Sequence, residues 1–124
     1  MQEQDQITLR MPARADNAGL ARLVAASSAS RRGLNYDEVE DLRLAVDELL
    51  YCLLGDAGVD GEVELRFSAV DGGVAVNGEV EGAGLAEISV SEFSSRILET
   101  VTDGFEYGRD DKRRWFSLTK RTGT

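Results

Sequence analysis

The stretch from Asp37 to Leu54, DEVEDLRLAVDELLYCLL, constrains the fold more than any other part of the chain. Val39, Leu42, Val46, Leu49, Leu50 and Leu53 recur at helical spacing and form one apolar face. At about 100° per residue, Glu48 lies nearly opposite Val46. Its neighbours on that back face are Leu44, Tyr51 and Cys52. A surface helix is polar on its back, whereas this one carries a second apolar patch around a carboxylate. The patch calls for a contact: a neighbouring helix, a ligand or a partner chain.

The rest of the chain supplies what that helix packs on. QITLRM alternates Ile7, Leu9 and Met11 and reads as a strand ended by Pro12. A helix is expected from Asp16 or Asn17 to about Arg32, with Leu20, Leu23 and Val24 as its core stripe. Gly33 is its expected left-handed stop, with Leu34 folding back on the last turn. EVELRFSA and VAVNGEV, joined by VDGG, alternate as a β-hairpin. A third helix is expected to open with a capping box of Ser89 and Glu92, flanked by Ile88 and Phe93 as a staple. Its expected buried stripe is Phe93, Ile97, Leu98 and Val101. FEY and RWFSLTK then read as two strands around the charged turn GRDDKR. The order βααββαββ implies an α+β fold, a two-layer sandwich with helices on one face of a mixed, mostly antiparallel sheet.

At 124 residues the chain is expected to form one domain spanning 1–124. It has 42% hydrophobic and 30% charged residues, the balance of a globular protein. No apolar run is long enough to cross a bilayer, and the polar start MQEQDQ lacks the order of a signal peptide. With a single cysteine, these features give the expectation of a cytoplasmic protein. A net charge of −9 argues against binding to nucleic acid. The chain has no histidine, which removes serine–histidine and cysteine–histidine catalysis and the commonest zinc ligand. No metal site is expected.

The element order, the helix EVEDLRLAVDELLYCLL and the ending ILETVTDGFEY with FSLTKR resemble a known family. It is the anti-sigma factor and serine-protein kinase branch of the histidine-kinase-like (GHKL, Bergerat-fold) ATPases. The resemblance runs from about Ile7 to Arg121. In that family a Glu-x-x-x-Asn motif supplies a general base and a ligand for the magnesium of ATP. Glu48 falls on the base position, and Cys52 stands where the asparagine should be. A neutral thiol is a poor ligand for so hard an ion.

The other nucleotide motifs depart too. The family's Asp-x-Gly-x-Gly, which reads adenine, aligns with Gly78, Val80 and Gly82, where only Gly82 matches. Its Gly-x-Gly at a helix start, where amides hold phosphate, aligns with Glu92 and Ser94. The lid between these motifs is short. The resemblance therefore implies a degenerate member with no ATP or magnesium cofactor, and Glu48 as a vestige of the base.

Three readings follow. The preferred one is a noncatalytic anti-sigma-like regulator of transcription, acting by partner switching with a sigma factor or a STAS-domain antagonist, with a homodimer as a further expectation. On the resemblance, Arg22 matches an arginine used in partner binding, and Leu44, Glu48 and Tyr51 form the candidate contact patch. The second is an ATP-dependent serine-protein kinase with an atypical pocket. The third is a module that binds a small molecule in the vacated cleft. Cys52, without a cationic neighbour in sequence, reads as a small buried apolar residue.

Overall fold

The computed structural model describes residues 6–55, 58–82 and 88–123. The elements are β1 (Gln6–Pro12), a 3-10 turn (Ala15–Asn17), α1 (Ala18–Arg31), α2 (Tyr36–Leu54), β2 (Glu62–Val70), β3 (Gly73–Glu81), α3 (Glu92–Val101), β4 (Gly104–Arg109) and β5 (Arg113–Arg121). The strands form one five-stranded sheet in the order β1-β2-β3-β5-β4. Every neighbouring pair is antiparallel, so the expected mixed sheet is not mixed. The reason is topological. β3 and β4, joined through one helix, run the same way, but β5 inserts between them.

Alternation along the strands sends Val63, Leu65, Phe67, Val74, Val76, Phe116 and Leu118 to the inner face, where they meet the helices. α2 is the middle helix, packed on α1, on α3 and on the central strands β3 and β5. Leu42, Val46, Leu49 and Leu53 are fully buried in this layer, as their spacing predicts. Burying each such side chain stabilises the fold by about 1.5–3 kcal/mol. The start of α2 is fixed by a capping box. Asn35 Oδ1 accepts from the Glu38 amide at 2.9 Å, and Glu38 Oε1 accepts from the Asn35 amide at 2.8 Å.

α1 packs differently from the expectation. Its buried residues are Ala21, Ala25, Ser28 and Ala29, while Leu20 and Leu23 are 47% and 68% exposed. Alanines let the helix lie close to its neighbours, and that closeness leaves no room for leucine on the inner side. The end of α1 is as expected. Gly33 takes φ +85°, its amide donates to Ser30 O, and the Leu34 amide reaches back to Ala29 O with its side chain buried.

The outer face of the sheet carries charge. Glu64 pairs with Arg10 and with Arg66 (2.5 Å), and Glu79 pairs with Arg66 (3.4 Å) and Arg113 (3.0 Å). No helix is long and apolar enough to cross a membrane among the described residues.

Candidate functional site

The back of α2 opens on a groove of about 600 Å³ between the start of α1 and the start of α3. Leu44, Glu48 and Tyr51 line it from α2, Ala18 from α1, and Phe93 and Ser94 from α3. The expected patch around Glu48 is therefore real. Leu44 and Tyr51 are 43% and 54% exposed, and Phe93, expected in the core, is 73% exposed. Phe93 points away from the core because α3 begins later than its sequence suggests.

Ser91, not Ser89, is the N-cap of α3, and its Oγ accepts from the Ser94 amide at 3.0 Å. Glu92 is therefore the first helical residue rather than the third, and the expected Ser89–Glu92 box is absent. The Glu92 side chain lies in solvent and pairs with Arg96 one turn on, at 3.3 Å. The shift turns Ser94 inward, where it is buried in the place expected for Phe93.

Ser94 joins the two helices. Ser91 Oγ donates to Ser94 Oγ at 3.2 Å, and Ser94 Oγ donates to Glu48 Oε2 at 3.2 Å. At this helix terminus the Ser94 amide is taken by Ser91, and Ser94, the third helical residue, holds the Glu48 carboxylate. The two hydroxyls hold the Glu48 carboxylate against the start of α3.

Cys52, one turn beyond Glu48, is buried. Burial first, and the Glu48 carboxylate second, push its thiol up to about 11, with a hydrogen bond from Ser94 acting the other way. The thiol is therefore neutral, as a small buried residue should be. Among the described residues no cluster of acidic or thiol side chains is arranged to hold a metal.

The aligned nucleotide positions lie elsewhere in the layer. Gly78 sits in mid-β3 under α2, where a Cβ would come 2.8 Å from Leu65 Cδ2 and 3.1 Å from Leu49 Cδ2 and Leu53 Cδ1. Val80 is fully buried in the core. Gly82 closes β3, its amide donating to Lys112 O at 2.8 Å. The short lid falls largely on residues 83–87, outside the described residues.

Arg22 is placed beside the groove but is engaged within the chain: Nη1 lies 2.6 Å from Asp47 Oδ1, in a half-exposed pair. Asp47 also lines the groove. Sequence reasoning did not find this pair, although it had singled out Arg22 itself and Glu48, the neighbour of Asp47. It also missed Ser91. The signal was present, since SVSEFSS offers two serines as caps, but Ser89 with Glu92 fits the commoner pattern.

No protein-family model matches the chain. Serine-protein kinase RsbW of Bacillus pumilus (strain SAFR-032) is 40% identical over 68 residues, 51% of this chain and 42% of that protein. RsbW of Bacillus subtilis (strain 168) is 37% identical over 70 residues, 54% of this chain and 44% of that protein. RsbW of Listeria monocytogenes serotype 4a (strain HCC23) is 44% identical over 68 residues, 51% and 42% of the two chains. The matched stretch spans less than half the length of these relatives. Over about half its own length the chain is thus homologous to serine-protein kinase RsbW, and its two-layer α+β sandwich fits the histidine-kinase-like ATPase fold.

Proposed function

We propose that this chain is an anti-sigma-like regulatory protein that acts by binding a protein partner, a sigma factor or a STAS-domain antagonist, and does not use ATP. The observation that carries the reading is the groove behind α2, where exposed Leu44, Tyr51 and Phe93 surround Glu48. Aromatic and aliphatic side chains left in solvent around a concave surface are the usual anchors of a protein interface. Glu48, with Asp47 held in its pair with Arg22, gives the groove an acidic floor, and among the described residues no basic residue lines it, so a partner segment with apolar and cationic side chains fits it. Homology to RsbW supports the anti-sigma reading. The leucines packed on Gly78 and the serine cap on α3 support the loss of nucleotide binding.

The volume also suits a small apolar ligand, since such sites run from about 300 to 1,000 Å³. That is the third reading. Thermal unfolding with and without excess Mg-ATP separates the first from a working kinase. A ligand at a hundred times its dissociation constant adds about 2.7 kcal/mol to stability. An unchanged melting temperature is expected, and a rise of several degrees would overturn the ATP-independent reading. Tyr51→Ala and Phe93→Ala are expected to abolish capture of the sigma or STAS partner while leaving the melting temperature unchanged. Retained capture by both variants would move the interface elsewhere. Sedimentation of the free protein tests the expected homodimer.

A further inference from the structure

A second cavity lies at the other end of α1, about 20 Å along the helix from the groove. It is small, about 90 Å³, and sits between the last turns of α1 and the inner face of β2 and β3. Ser28, Arg31 and Arg32 line it from the helix side, and Ser68 lines it beside Phe67 and Val74.

Three features of its lining point to a ligand. Ser28 is only 8% exposed, and among the described residues its hydroxyl has no hydrogen-bond partner. A serine within a helix ordinarily bonds back to the carbonyl one turn earlier, and this one does not. Buried hydroxyls left without a partner are rare in folded proteins because each has lost its water. Arg31 and Arg32 are exposed, and among the described residues neither holds a carboxylate, whereas Arg10, Arg22, Arg43, Arg66 and Arg113 all do. Among the described residues no acidic residue lines the cavity.

A helix C-terminus ordinarily repels anions. Here two of the terminal carbonyls are already occupied: Ala29 O accepts from the Arg32 and Leu34 amides, and Ser30 O accepts from the Gly33 amide. The polar side chains lining the cavity are those of Arg31, Arg32, Ser28 and Ser68, and of the two hydroxyls that of Ser68 already donates to Gln6 Oε1. Guanidinium is a planar donor suited to oxyanions. At about 90 Å³ the cavity has room for a small ion and is far smaller than the groove.

We propose that this cavity binds a small oxyanion of phosphate or sulfate size, held by Arg31 and Arg32 and receiving a hydrogen bond from Ser28. The site is independent of the groove and of the partner proposed for it. Because the protein carries a net charge of −9, diffuse attraction of anions is suppressed and binding here has to be local.

The test is an amide NMR titration with inorganic phosphate, then with sulfate, at ionic strength held constant with sodium chloride. Saturable shifts confined to Ser28–Gly33 and Ser68 are expected for the wild-type chain. Arg31→Gln with Arg32→Gln is expected to weaken binding by about tenfold or more. Ser28→Ala is expected to weaken it severalfold with the spectrum of the fold otherwise intact. Linear, unsaturated shifts, an equal response to chloride, or saturable binding unchanged in the double variant would each overturn the site. A crystal grown in high sulfate with only water in the cavity would overturn it as well.

Discussion

Ser94 and Cys52 show how two small side chains fix the character of the site. Ser94 ties α3 to Glu48, and Cys52 lies beneath that contact with its thiol pushed up to about 11. At pH 8 such a thiol is ionised to about 0.1%, against about a tenth for a group at the ordinary value of 9.0. Alkylation by iodoacetamide is therefore expected to be at least about a hundredfold slower in the folded protein than in urea, followed by mass spectrometry. The same shift has a sign for stability. Between pH 9 and 11 the unfolded chain loses this proton while the folded protein keeps it, so folding weakens as pH rises through that window. Cys52→Ala is expected to remove that part of the alkaline loss, read from urea midpoints at pH 8, 9.5 and 11.

Among the elements, α3 offers the sharpest test because its cap register was misread. Ser91→Ala removes the side chain that satisfies the Ser94 amide and is expected to cost about 1 kcal/mol in chemical unfolding. Ser89→Ala, outside the helix, is expected to change stability by less than about 0.5 kcal/mol. The opposite order would restore the earlier register. The difference between legible and illegible elements is physical. β1, α2 and the β2–β3 hairpin were readable because the large apolar residues of their inner faces keep one strict period and are buried or half-buried. α1 was not, because its inner face is built from Ala21, Ala25 and Ala29, and its leucines stand outside. Periodicity ranks leucine above alanine, whereas close helix packing reverses the ranking. At the site, Glu48 and its apolar neighbours followed from spacing along one helix. The Ser94 contact and the Arg22–Asp47 pair depend on how separate helices dock, which spacing within one segment does not contain.

For the whole molecule, the two sides of the sandwich are unequal. The helical side carries the groove with exposed Tyr51 and Phe93, and the other side of the sheet carries the charged side chains of Arg10, Glu64, Arg66, Glu79 and Arg113. Surface ion pairs contribute about 1 kcal/mol or less. Glu79→Gln, at the centre of that ladder, is expected to shift urea stability by no more than about 1 kcal/mol and to leave partner capture unchanged. Loss of capture would place the interface on the sheet. The packing on Gly78 has a consequence for how this fold can change. An aspartate introduced there would place an unpaired carboxylate among Leu49, Leu53 and Leu65, so the change is harmful until those leucines have also been replaced. Each leucine trimmed first, with glycine still in place, leaves a void in the centre of the core. Neither order of steps is neutral, so the position works as a ratchet: single substitutions arriving one at a time have no smooth path from this core to an adenine-reading pocket.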